Sequence, residues 1–408
     1  MRISHSIGLL LLFWTVCCRS QRTALDDNIE ILRSIRNLAT IIIGRTSSPE
    51  GRQLKNARTQ RILQPLINSR TQFPCDLTNA RSPRPPTSVH KVRPGDIDVI
   101  AAMGDSLTAG YGAMATALPH LMIENRGLSW SGGGQGTWRE YLTLPNIIKV
   151  FNPNVVGYAL SDGYTTNKES QFNVAEALAM SRDLPFMAQT LVKRIKNDKR
   201  VDMNTHWKLI TILIGPNDFC SEMCYQRSPW SILERHRADL LSTFRILRDN
   251  LPRTIISLTV APNLKVLVDF TGRSSLCEMT VDVECSCLFG LRWRYRREEF
   301  YKIMREWQKI DEEFGTLAEF QREDFTIVTQ PFITNASFPL TPSGLTDFTY
   351  LSADCFHLSQ KGYARAANAL WNNLLEPVGR KSRSWDDTFK RFLCPTEKRP
   401  YISTLGNS

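Results

Sequence analysis

Ile97-Asp98-Val99-Ile100-Ala101-Ala102-Met103-Gly104-Asp105-Ser106-Leu107, followed by Ala109-Gly110-Tyr111-Gly112, is the stretch on which the reading of this chain turns. An apolar run that stops at a serine-bearing turn and a glycine-spaced segment is the pattern of a β-strand delivering a hydroxyl to its C-terminal end. Open parallel α/β sheets carry their chemistry at that edge. Taken alone, Gly104-Asp105-Ser106 is an ordinary turn, since all three residue types favour turns. Two later segments change the reading. In Asp354-Cys355-Phe356-His357-Leu358-Ser359 a carboxylate precedes an imidazole by three residues, so both converge on one side of a turn leading into a helix near Ser359. An isolated pair of this kind is an ordinary satisfied histidine. With Ser106 upstream it becomes the base and orienting acid that a serine nucleophile needs. Gly215-Pro216-Asn217-Asp218 follows the β-type run Leu209 to Ile214 and offers the neutral NH2 of Asn217 as an oxyanion donor, beside the plainer reading of an Asx turn.

Together these blocks resemble the GDSL, or SGNH, serine hydrolases, and from about Phe73 to Cys394 the surrounding sequence resembles the phospholipase B branch of that family. The likeness runs through Phe73-Pro74-Cys75, Arg81-Ser82-Pro83, Thr87-Ser88-Val89-His90 and Arg93-Pro94. It continues in Arg126-Gly127-Leu128-Ser129-Trp130-Ser131, Thr143-Leu144-Pro145-Asn146-Ile147, Phe151-Asn152-Pro153-Asn154 and Leu370-Trp371-Asn372-Asn373. The resemblance implies a three-layer αβα fold of flavodoxin-like type, with Ser106 as nucleophile, His357 as general base and acid, Asp354 as its partner, and Asn217 with the N–H groups of Ser106 and residue 178 as oxyanion donors. It further implies a carboxylic-ester hydrolase that releases fatty acids from phospholipids or lysophospholipids and needs no metal or organic cofactor.

One family position differs. Where that branch reads Asn-x-Ala-x-x-Gly-Ala, this chain has Asn173-Val174-Ala175-Glu176-Ala177-Leu178-Ala179. Leucine keeps the backbone N–H but adds a branched side chain at a point where glycine serves positive φ or close substrate approach, which predicts lowered activity or narrowed access. Two other functions therefore stand beside the first. One is an esterase for other lipids or acetylated sugars, because fold and triad do not fix the acyl or alcohol group. The other is a weakly active or inactive secreted binding protein on a hydrolase scaffold, for which Leu178 is the support. Gly132-Gly133-Gly134 reads either as a flexible surface loop or as a backbone segment standing in for the missing glycine.

The first twenty residues carry Arg2, an apolar core from Ile7 to Val16, and Cys18-Arg19-Ser20 with small residues at −3 and −1, which predicts a cleaved secretory signal over 1–20. The apolar core is too short to span a bilayer, and the polar last thirty residues predict no terminal anchor. The expectation is a secreted, extracellular protein. Eight cysteines follow the signal (Cys75, Cys220, Cys224, Cys277, Cys285, Cys287, Cys355 and Cys394), an even number that reads as disulfides whose pairing the sequence leaves open. Cys220, Cys224, Cys285 and Cys287 faintly resemble a metal site, but an oxidising compartment favours bridges, so no metal is expected. Asn335-Ala336-Ser337 is the sole glycosylation sequon. The formal net charge is +11, and without Arg2 and Arg19 it is 49 minus 40, or +9. Such a surface is drawn to anionic membranes, whereas no nucleic-acid-binding fold accompanies the charge. Nothing in the sequence fixes an oligomeric state.

The chain divides into the signal at 1–20, a basic helical extension at 21–72, one hydrolase domain at 73–395 and a tail at 396–408. Within the extension, which could also be a processed prosegment, Asp26 to Gly44 predicts an amphipathic helix with Ile29, Leu32, Ile35, Ile42 and Ile43 on one face, packed on the domain or facing a membrane or partner. Further strands are expected at Asn154 to Leu160, Thr254 to Val260 and Phe325 to Thr329. Helices are expected near Asp183 to Asn197, Ser231 to Asn250, Arg296 to Arg322 and Ser359 to Leu375. Strands alternating with helices make a parallel sheet covered on both faces. Cys277 to Arg297 reads as an insertion held by bridges.

Overall fold

Four parallel strands carry the architecture: β1 (Ile97–Gly104), β2 (Trp207–Leu213), β3 (Thr254–Thr259) and β4 (Phe325–Gln330), in the spatial order β1-β2-β3-β4. Ile100 lies opposite Leu209, Ile210 opposite Ile256, and Ile256 opposite Ile327. The structure is a computed structural model and describes residues 34–36, 38–48 and 51–408. The expected signal at 1–20 and the first part of the expected amphipathic helix lie outside the described residues.

The strand expected over Asn154 to Leu160 does not form as a continuous element. Ile100 donates its N–H to Val156 O, but Gly157 at φ 99° turns the chain away, and Ala102 instead donates to Phe172 O after an excursion. These two short contacts form an interrupted fifth strand outside β1, so the sheet follows the flavodoxin-like order in which the chain leaves β1 for one edge and returns to the other side. The switch point falls between β1 and β2.

Seven helices among the described residues organise the domain: α1 (Arg52–Thr59), α2 (Leu144–Phe151), α3 (Leu184–Asn197), α4 (Ser231–Asn250), α5 (Ser275–Glu284), α6 (Arg297–Phe314) and α7 (Gln360–Leu375). On one face of the sheet Ile97, Ile100, Leu209, Ile255 and Val328 share a core with Ile147 of α2 and Leu370 and Trp371 of α7. On the other face Val99, Ala101, Ile210, Ile256 and Ile327 pack with Leu191 of α3, Leu240 and Phe244 of α4 and Phe314 of α6. Burial on both faces explains why the strands read as near-continuous apolar runs. The helix expected to reach Arg322 stops at Phe314, because Gly315 takes the cap and Gln321 Nε2 donates back to Gly315 O, which folds Phe320 into the core beside Phe244 and Phe314.

Three peripheral segments are packed on the domain. Gly132, Gly133 and Gly134 are buried, with Gly133 donating to Ser129 O and Gly134 to Ala159 O, so they form a packed turn and not a surface loop. Residues 396–408 pack on the domain: Ile402 donates to Val92 O, Ser403 donates to Leu374 O, and Cys75–Cys394 joins the two ends of the domain. In the helical residues 34–36 and 38–43 it is Arg36, not the isoleucines, that turns inward, pairing with Glu124 at 3.1 Å and Glu176 at 3.0 Å. Ile41 and Ile42 are left 80% and 72% exposed. Two buried carboxylates outweigh the apolar stripe, because burying them unpaired costs more than exposing isoleucine.

Gly104 closes β1 at φ 145°, and a Cβ there would lie 2.2 Å from the Leu213 carbonyl oxygen of β2. Gly104→Ala must separate the strands at the switch point and should lower stability by about 2 to 4 kcal/mol. Urea unfolding measures this; a loss under about 0.5 kcal/mol would mean that the two strand ends can part freely.

Candidate active site

Asp105 leaves β1 in extended conformation and accepts the Leu107 N–H at 2.9 Å, which caps the one-turn helix Ser106–Ala109; Gly110 at φ 77° ends it. Ser106 thereby occupies the first position of a turn, with its N–H free of the turn's own bonding and its side chain at the sheet edge. On the other side, Ser359 caps α7, and the loop before it turns sharply at Cys355, φ 59°. In that loop Asp354 Oδ1 accepts the N–H groups of Phe356 and His357, both at 3.0 Å.

These two loops meet. His357 Nε2 lies 2.8 Å from Ser106 Oγ, and His357 Nδ1 lies 2.6 Å from Asp354 Oδ2. A carboxylate only accepts, so Nδ1 carries the proton and Nε2 is free to take the one from the Ser106 hydroxyl. Burial raises the Asp354 carboxyl, but the charge and hydrogen bond of His357 and the two backbone N–H groups outweigh it and hold the group below its ordinary value. For His357, burial pulls downward, while Asp354 first and then Glu284 and Asp105 push further in the other direction, leaving the imidazole above its ordinary value. Burial lifts Asp105 itself to about 7, against the Leu107 N–H. The Tyr111 ring lies 4.7 Å from the imidazole, centroid to centroid.

The pocket that holds Ser106 and His357 also holds Asn217 and is otherwise apolar, walled by Leu213, Leu264, Leu267, Phe332, Phe338 and Phe356. Asn217 uses one amide N–H on Ala179 O at 2.9 Å, and an NH2 group has a second donor. Leu178 has φ 68°, the left-handed conformation that a glycine adopts freely, and its N–H has no acceptor among the described residues. Its side chain is 60% exposed and is not among the pocket walls. The segment carrying it is held from below by Arg126, which is fully buried, pairs with Glu124 at 2.6 Å and donates to the carbonyl oxygens of Asn173 and Ala175.

A second serine–histidine–aspartate chain lies behind this segment: Ser181 Oγ is 2.7 Å from His236 Nδ1, and His236 Nε2 is 2.8 Å from Asp311 Oδ1. All three are buried, the His236 ring is stacked on Trp307, and none of the three lines the pocket, so the same geometry here ties α4 and α6 to the turn before α3. Access, not triad geometry, separates the two. The four cysteines considered for a metal pair as Cys220–Cys285 and Cys224–Cys287, Cys277 pairs with Cys355, and Asn335 is exposed. Sequence reasoning gave no role to Glu284, whose carboxylate lies within 4.8 Å of a carboxylate oxygen of Asp354 and of a ring nitrogen of His357. A separation of seventy residues or more, across an insertion, left no local signal.

A parallel αβα sheet that brings a serine and a histidine, both largely buried, to an apolar pocket at its switch point is the architecture of serine hydrolases. The chain belongs to the GDSL-like lipase/acylhydrolase family, whose pattern matches residues 100–370. It is 38% identical over 362 residues to the membrane-associated phospholipase B1 of Rattus norvegicus, covering 88% of this chain and 24% of that protein. Against the Homo sapiens protein of the same name it is 40% identical over 328 residues, covering 79% and 22%. The chain thus spans about a quarter of the length of these curated relatives. An extracellular lipase from Streptomyces rimosus superposes with a TM-score of 0.30 at 14% identity, covering 65% of this chain and 94% of that one, a similarity too loose to carry structural weight.

A left-handed leucine costs about 1 to 2 kcal/mol that glycine avoids, partly offset by glycine's greater loss of backbone freedom. Leu178→Gly should therefore leave stability equal or higher by up to about 1 kcal/mol. Because the side chain stands outside the pocket, kcat/KM on a short-chain ester should change by less than roughly threefold. A rise of tens of fold, per active site titrated, would mean that the leucine branch does obstruct substrate.

Proposed function

We propose that this protein hydrolyses the acyl esters of phospholipids or lysophospholipids by a Ser106–His357–Asp354 mechanism. The observation that carries the reading is the continuous hydrogen-bond chain from Asp354 through His357 to Ser106, opening into an apolar cleft. His357 takes the Ser106 proton at Nε2 as Oγ attacks the acyl carbon, and Asp354 holds the resulting imidazolium in place. Charge moves to the carbonyl oxygen, where the N–H groups of Ser106 and Leu178 and the second amide N–H of Asn217 are the donors. The same imidazolium then protonates the leaving alcohol, and water repeats the sequence to free the fatty acid. Walls of leucine and phenylalanine suit a hydrocarbon chain better than an acetylated sugar, which favours a lipid among ester substrates.

The compartment follows the same reasoning. Four disulfides and the signal-like residues 1–20 support secretion, exposed Asn335 supports glycosylation, and the net charge of 49 minus 40, or +9, after residue 20 supports peripheral contact with anionic membranes. Among the described residues no helix is long and apolar enough to cross a membrane.

Ser106→Ala and His357→Ala should each remove nearly all ester turnover from folded protein, and Asp354→Asn should lower kcat by about 10⁴-fold through the wrong imidazole tautomer. Turnover by Ser106→Ala at the wild-type rate would end the mechanism. Since the base acts only when neutral and its pKa is raised, kcat/KM should fall on acidification with a limb above the ordinary imidazole value. A limb below that value would contradict the electrostatics of the site. A panel of phospholipids, lysophospholipids, triglycerides and acetylated sugars, with products identified by mass, tests the substrate class; release of acetate alone would overturn it.

A further inference from the structure

The insertion is fastened to both halves of the site. Cys277, near the start of α5, is bridged to Cys355, between Asp354 and His357. Cys285, one residue past its end, is bridged to Cys220, three residues past Asn217. Thr280 Oγ1 adds a hydrogen bond to Asp354 O at 2.7 Å. Between these ties stands Glu284, half-buried, with no hydrogen-bond donor or ion-pair partner for its carboxylate among the described residues. Its carboxylate oxygen lies within 4.8 Å of a carboxylate oxygen of Asp354 and of a ring nitrogen of His357. A carboxylate in partial burial costs free energy unless a positive charge meets it, and among the described residues the charge that favours the Glu284 carboxylate is that of His357, against burial and Asp354.

We propose that Glu284 is a positioning residue for the reaction: a second carboxylate, held by the disulfide-fastened α5, that stabilises His357 when it becomes an imidazolium. The inference rests on the reading of His357 as the general base. Asp354 fixes the tautomer and direction of the ring through a direct hydrogen bond. Glu284 adds negative potential without one, and acts in the two steps in which His357 holds the proton. The other titratable groups facing His357 are Asp105 and Tyr111, and both are unchanged in the comparison that follows.

The test is Glu284→Gln in the full, disulfide-bonded chain, read by the rate of Ser106 labelling with a fluorophosphonate and by kcat/KM on a short-chain ester, each across pH. Removing a nearby negative charge makes the imidazole a weaker base, so the acid limb should move to lower pH and the alkaline plateau should fall roughly five- to twentyfold, well short of the loss of the base itself. Glu284→Asp, which keeps the charge, should hold the limb near its wild-type position. An unchanged plateau, or a lower plateau with an unmoved limb, would overturn the proposal; the second result would mark a purely structural role. Should Glu284→Gln fail to fold, Thr280→Val loosens α5 from Asp354 and should move the limb in the same direction by a smaller amount, and no movement would again overturn it. The probe contains no lipid, so failure of the phospholipid panel leaves this test standing, whereas absence of labelling in the wild type would sink the mechanism and the inference together.

Discussion

The approach of β1 to β2 at their C-terminal ends is the constraint on which the rest depends. Gly104 lies so close to the Leu213 carbonyl that no side chain fits, and Ser106 and Asn217 follow two and four residues beyond those strand ends. Parallel pairing requires that the chain cross over between them, and that crossover is where the segment 173–179 returns past the edge of β1. Glu176 donates its N–H to Gly104 O, and Asn217 donates to Ala179 O, so the three loops of the site are hydrogen-bonded to one another. Strand pairing thus sets the floor of the active site before any catalytic side chain is considered.

Charge is buried next to that floor in an uncommon amount. Arg126 and Arg36 share Glu124, Arg36 also reaches Glu176, and Arg126 holds the carbonyl oxygens of Asn173 and Ala175. Such pairs contribute little net stability over an apolar core, yet removing one partner leaves an uncompensated charge. Their consequence here is geometric: the backbone on either side of Leu178 has little freedom, which accounts for a leucine being held at φ 68°. The N-terminal helical residues take part through Arg36, so the extension belongs to the support of the site as well as to the surface.

The disulfides do for the opposite wall what the ion pairs do for the floor. Cys277–Cys355 and Cys220–Cys285 fix an insertion to the histidine loop and to the loop after Asn217, and Cys224–Cys287 adds a third tie. The wall contributes Phe356 and Leu264 to the cleft and Glu284 to the neighbourhood of the imidazole. A site built from loops alone would gain precision only by packing; cross-links give it independently of a core.

Local pattern in the sequence determined the strands β1 to β4, the helices α3, α4 and α7 and the turns that carry Ser106 and the Asp354–His357 pair, because apolar periodicity, caps and turn residues act over a few positions and the spacing of Asp354 and His357 is itself local. It misjudged the segments where a distant partner outweighs local preference. Asn154 to Leu160 breaks at Gly157, the end of α6 folds back to bury Phe320, Gly132 to Gly134 pack against buried backbone, and the N-terminal helix turns Arg36 inward toward Glu124 and Glu176. The disulfide pairing, the left-handed backbone at Leu178 and the arrival of Glu284 beside His357 were decided only by tertiary structure. Each depends on which remote atoms meet in space, and a carboxylate seventy residues from its imidazole leaves no period, cap or turn to mark it.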